Sequence, residues 1–188
     1  PDGSFRSRLF TANPDGSDLF MFPDTGVYSH MDWRNNEELT VWTIKPSPHE
    51  EAENFIRDNQ FLDSVVRPTY RFLKNHVFGS WLDQTVLPSR GYIEFTDKNC
   101  EPNMIGSDRL TEDGHFTWSR DEQWLLTDTY PLQDDYKYLL LYNSRSDNLH
   151  ELGHFRSTMA DTPFKCDLHP RWDREENRIA VDSDHGQT

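Results

Sequence analysis

The sequence predicts an all-β fold assembled from repeated small antiparallel sheets, and three observations predict it. A segment recurs three times without gaps: His30-Met31-Asp32-Trp33-Arg34-Asn35-Asn36-Glu37, His115-Phe116-Thr117-Trp118-Ser119-Arg120-Asp121-Glu122 and His169-Pro170-Arg171-Trp172-Asp173-Arg174-Glu175-Glu176. Each has Trp three residues after His and Glu seven after it, and an apolar run follows each time. Second, apolar residues come in short runs bounded by turn formers, the spacing of many small strands. Third, aromatics make up 13% of the chain although hydrophobic residues reach only 34%. Those large rings supply the buried area that an acidic, polar chain would otherwise lack, so disorder is excluded.

The elements follow in order. Runs 8–12 and 18–22 flank Asn13-Pro14-Asp15-Gly16-Ser17, where Pro suits the second turn position and Gly accepts positive φ. The first His-x-x-Trp unit then forms a hairpin, with a short strand carrying Trp33, a polar turn, and a β-rich return over 38–42. Residues 45–90 interrupt the pattern as an expected helical insertion. Pro46 and Pro48 end the strand, and Phe55, Phe61, Leu62, Val65 and Val66 keep near-helical spacing before Pro68 breaks it. Tyr70, Phe72, Leu73, Val77, Phe78, Trp81 and Leu82 read as a second helical stretch. Runs 92–96 and 104–110 pair next, then the second hairpin, then 138–142 with 149–155, then the third hairpin.

Four short strands per repeat is the grammar of a β-propeller blade. Counting strands outward from the axis, the chain holds the outer two of one blade, two whole blades, and the inner two of another. Closed rings take roughly four to eight blades, so 1–188 is expected to be an arc of one propeller domain whose remainder is missing. A sandwich of similar hairpins is the alternative. A start at Pro1 and a stop at Thr188 fit a piece of a longer protein. Trp33, Trp118 and Trp172 are expected in equivalent core positions, and Glu37, Glu122 and Glu176 in solvated turns.

Composition excludes whole classes of function. With 19 basic and 33 acidic residues the formal charge is −14, opposite to what a general nucleic-acid binder or a polybasic lipid-surface protein needs. No apolar run approaches the roughly 18–20 residues of a membrane helix. Two cysteines, Cys100 and Cys166, are too few for a disulfide framework.

At the repeated units the sequence resembles TolB-type propellers, whose blades open on a pattern like His-Pro-x-Trp-Ser-Pro-Asp-Gly. His169-Pro170-Arg171-Trp172-Asp173-Arg174-Glu175-Glu176 is that pattern with Pro-Asp-Gly worn to Arg-Glu-Glu. Asp113-Gly114-His115, Thr127-Asp128-Thr129-Tyr130-Pro131 and Cys166-Asp167-Leu168-His169-Pro170-Arg171-Trp172 look most like the propeller polysaccharide lyases, the oligogalacturonate and ulvan lyases. The resemblance implies an activity on uronic-acid polysaccharide, a secreted or periplasmic protein, and histidines holding a divalent metal on the axis.

Blade geometry places His30, His115 and His169 just ahead of three successive inner strands, so they should converge at one mouth, with Cys166 in the same loop as His169. Imidazole and thiolate together suit zinc, and manganese is the other metal considered. The alternative is that these histidines only pin blade to blade. Tyr130 and His185, at the ends of two second strands, are the candidates for general acid or base. Each also has a bland reading, as a strand-edge cap and a solvated turn residue. Arg120, Arg171 and Arg174 are candidates for a local positive field. Two other functions stay open: a non-catalytic propeller binding a protein or glycan partner, and a propeller gating a separate hydrolase domain. No Gly-x-Ser-x-Gly elbow occurs in these residues.

Overall fold

The computed structural model describes residues 7–23, 27–44, 90–106, 109–157 and 166–184. The chain divides into two compact units, Pro1–Thr43 with Arg90–Thr188, and Ile44–Ser89. Apart from Ile44, every described residue belongs to the first unit. The helical insertion expected over 45–90 lies outside the described residues, except for Arg90, which opens a strand.

Among the described residues all regular structure is β. β1 (Phe10–Thr11) and β2 (Phe20–Met21) form an antiparallel hairpin. Its turn closes through Gly16 N–H to Asn13 C=O at 2.8 Å, with Gly16 at φ 82°. A four-stranded sheet follows in the order β3-β4-β5-β6: β3 is Val27–Trp33, β4 Glu38–Ile44, β5 Arg90–Thr96 and β6 Asn103–Ile105. A second runs in chain order through β7 (Phe116–Trp118), β8 (Trp124–Asp128), β9 (Tyr136–Asn143) and β10 (Asn148–Arg156), all antiparallel. β11 (Arg171–Trp172) and β12 (Ile179–Ala180) form a last hairpin. A two-four-four-two succession of strands is therefore present, in the expected phase.

Packing explains why so many strand residues are apolar on both faces. The five central residues of β4 and of β5 are all buried. One face meets the β1–β2 hairpin through Leu9, Phe22, Tyr28, Leu39, Val41, Ile93 and Phe95. The other meets the next sheet, where Tyr92 stacks edge-on against Phe116 at 5.0 Å and its hydroxyl pairs with Thr127 Oγ1 at 2.8 Å. That sheet in turn covers β11–β12 through Leu126, Leu139, Leu168, Trp172 and Ile179.

The repeated turns are hydrogen-bonded to one another at the surface: Glu37 and Glu122 are exposed, as expected, and Glu176 is half-buried. Arg34 donates to the Glu122 carbonyl at 2.8 and 3.0 Å, and Asn35 to Glu122 Oε2 at 3.0 Å. One repeat on, Arg120 N–H donates to Glu176 Oε1 at 2.6 Å and its guanidinium to the Arg174 carbonyl at 2.6 Å. The tryptophans differ as well. Trp118 is 6% exposed, with Nε1 donating to Thr40 Oγ1 at 2.9 Å and Arg34 over its ring at 4.4 Å. Trp172 is half-buried, and Trp33 is 43% exposed. Trp118 meets Thr40 of β4 and Arg34, both from the sheet before it, and the hairpin before β3 offers only two strands among the described residues.

Candidate functional site

Three strands bring the repeated histidines into a row. β7 neighbours both β3 and β11. His115 directly precedes β7, and His169 stands two residues ahead of β11. His30 departs from expectation by lying inside β3, which pairs back as far as Val27, whose carbonyl accepts from Thr43 Oγ1 at 3.0 Å. The His30 and His115 ring centroids are 4.3 Å apart, and those of His115 and His169 are 4.0 Å apart. The three rings therefore stand side by side in one row.

Each ring is oriented through Nδ1. His30 Nδ1 lies 2.9 Å from Asp113 Oδ1, and Ser29 Oγ donates to the other oxygen of that carboxylate at 2.9 Å. His115 Nδ1 lies 3.2 and 3.3 Å from the two oxygens of buried Asp128. His169 Nδ1 lies 3.1 Å from the Asp167 carbonyl oxygen. Carboxylates and carbonyls accept, so Nδ1 carries hydrogen in each ring, and in the neutral ring Nε2 keeps its lone pair. Asp128 also accepts the backbone N–H of His115 at 2.6 Å and of His169 at 3.0 Å, so one carboxylate sets two neighbours. Hydrogen bonding to Asp128 raises the His115 pKa against the opposing effect of burial, with the charges of Asp128, Asp167 and Asp113 adding to it. The backbone of His169 sits at φ 43°, in the left-handed region that costs a non-glycine residue roughly 1–3 kcal/mol.

This order brings together a candidate donor set for a cation. One ligating atom from each of His115, Asp167 and His169 lies within 4.8 Å of the others. Among the described residues, Asp167 Oδ1 is buried with no hydrogen-bond partner, a costly state for a carboxylate oxygen unless a cation or donor faces it. Two imidazoles and a carboxylate suit a divalent transition metal. Cys166 and His30, both expected as ligands, fall outside that group. Cys166 is half-buried and contributes its backbone carbonyl, which accepts from Lys137 Nζ. Both cysteines are free thiols.

His30 instead meets Tyr130, whose hydroxyl is 3.5 Å from His30 Nε2. Tyr130 is exposed, with its ring 5.8 Å from that of His115. Partial burial, then the charges of Asp113, Asp167 and Asp128, push its pKa up, so the hydroxyl holds its proton more firmly than a free tyrosine. His185, the other candidate acid or base, lies outside the described residues. Of the candidate arginines, Arg120 is committed to the turn of the next repeat, and Arg171 Nη1 donates to the Pro170 carbonyl at 2.8 Å. The charges of Asp113, Asp128 and Asp167 act on both His115 and Tyr130.

Asp113, Asp128 and Asp167 were not among the expected site residues, although they lie two residues ahead of His115, Tyr130 and His169 in the chain. No family model matches the chain, and neither does any curated protein or solved structure.

Proposed function

We propose that the sheets are blades of a β-propeller and that the histidine row forms the site of a polysaccharide lyase acting on uronic-acid-containing chains. One observation carries this reading: three imidazoles held at Nδ1, with a buried carboxylate oxygen and a tyrosine hydroxyl beside them. The two-four-four-two succession and the row of β3, β7 and β11 support the propeller.

His115, Asp167 and His169 are the residues that would hold a divalent metal, whose charge would draw in a substrate carboxylate that the acidic surroundings otherwise repel. His30, its Nδ1–H given to Asp113, offers Nε2 as the base for the proton on the carbon beside that carboxylate. The C–H electron pair becomes the new C=C bond, the glycosidic C–O bond breaks, and the departing oxygen takes a proton from Tyr130. A tyrosine with a raised pKa suits the donor role better than the base role. His30 and Tyr130 then exchange the proton across their contact. Such an enzyme belongs outside the cytoplasm, where its polymer is.

A second reading keeps the propeller without catalysis. The His30–Asp113 and His169–Asp128 bonds tie one repeat to the next, as blade-pinning histidines would. Incubation with several uronic-acid polymers, followed through the ultraviolet absorbance of unsaturated product, separates the two. The lyase reading expects activity that disappears on chelation and in His115→Gln and His169→Asn; Asn tolerates the left-handed backbone at 169. Activity that persists through all three treatments removes the metal from the reading, and no product from any polymer leaves the binding propeller.

A further inference from the structure

We propose that Lys137 is a positioning residue that sets the Asp167–His169 segment and thereby the affinity of the site for a divalent cation. This rests on reading His115, Asp167 and His169 as ligands. Lys137, the second residue of β9, is 1% exposed, and lysine is almost never buried so completely without dedicated partners. Its Nζ donates to the Cys166 carbonyl and stands 3.8 Å from Asp184 Oδ1. Asp167 directly follows Cys166, and His169 lies three residues after that cysteine.

The Cys166 carbonyl shares its peptide plane with the Asp167 N–H, so holding that oxygen orients the backbone from which the Asp167 carboxylate projects. The next backbone groups are held as well. Fully buried Leu168 accepts the Asp182 N–H at 2.8 Å, and His169 N–H donates to Asp128 at 3.0 Å. Without Lys137 the segment keeps these later anchors and loses the one immediately ahead of Asp167. Lys137 also faces Asp184, so removing the amine breaks a charge pair and lowers stability as well; loss confined to the Asp167–His169 segment is what placement adds. Its burial against one carbonyl of the site segment points to placement.

Lys137→Met and Lys137→Gln in the full chain test this, by Zn2+ titration and by residue-resolved amide exchange. Lys137→Met is expected to weaken Zn2+ binding roughly 10- to 100-fold, the usual cost of removing an outer support of a metal site. The His169 amide should exchange faster while amides of the β8–β9 ladder keep their protection. Lys137→Gln, which retains a donor for the Cys166 carbonyl, should recover part of both, and it carries the test if the Met variant does not fold. Unchanged His169 exchange and Zn2+ affinity in a folded variant overturn the proposal, as does loss of protection spread evenly over the sheet. A wild-type protein without Zn2+ affinity sinks the metal reading, and with it Lys137's effect on affinity; the His169 exchange rate then still decides whether Lys137 holds the segment.

Discussion

A Cβ on Gly114 would stand 1.9 Å from the Asp128 carbonyl oxygen and 2.7 Å from its Oδ1, closer than any side chain tolerates. Glycine there lets the chain ahead of His115 lie directly on the residue that orients His115 and His169. Gly114→Ala is expected to cost about 3 kcal/mol, at the upper end for overpacking, measured by urea unfolding. A cost below about 0.5 kcal/mol would show that Asp128 moves freely. The His115–Asp128 pair makes a second prediction, for metal-free protein. The folded pKa of His115 is raised above its ordinary 6.5, so the pair's stabilisation is complete below that value. It is lost as pH rises through the raised folded value. Thermal stability should therefore fall across that interval, and Asp128→Asn should flatten this part of the pH profile.

At the scale of elements, the hairpin turns carry an avoidable strain. Glu122 and Glu176 adopt φ 62° and 58°, each ending a turn closed by its own N–H, to Ser119 at 2.9 Å and to Asp173 at 3.1 Å. A left-handed position inside a hairpin loop favours glycine, which adopts it without a Cβ clash. Glu122→Gly should stabilise the protein by roughly 0.5–1 kcal/mol, since the Arg34 bonds go to the retained carbonyl and only the exposed Asn35 contact is lost. A drop in the thermal midpoint would mean that the Asn35 stitch outweighs the strain. The same turns show why glutamate in place of glycine leaves the hairpins intact: the Glu side chains bond to neighbouring turns.

Across the whole molecule, cohesion depends on polar groups buried where sheet meets sheet. Arg34 reaches from its own sheet to Trp118, Glu122 and Ser144 of the next while its Nη1 holds Glu94 at 3.1 Å. Burial pushes the Glu94 carboxyl up, and Arg34 works against that shift. Arg34→Met should therefore destabilise by about 3 kcal/mol at neutral pH, because it strands a buried charge. The loss should shrink as pH falls through the raised pKa of Glu94, and Arg34→Met with Glu94→Gln should recover part of it. A double-mutant cycle in which the two substitutions simply add would show that the pair is uncoupled.

Strand phase, hairpin positions and the meeting of His30, His115 and His169 were legible along the chain, because they repeat and because a strand's period projects directly into space. The environment of each repeated residue was not. Trp33 and Trp118 occupy one column of the repeat yet differ in exposure by what the preceding sheet places over them. Cys166 looked like a ligand from its distance to His169, but the chain presents its carbonyl to Lys137 and leaves Asp167 with the buried oxygen. Sequence by itself determined the succession of strands and which histidines come together, since both follow from the repeat. Tertiary structure alone decided that His30 faces Tyr130, that Asp128 serves two histidines and that a lysine lies inside, since these depend on groups from separate strands and loops meeting within a few ångströms.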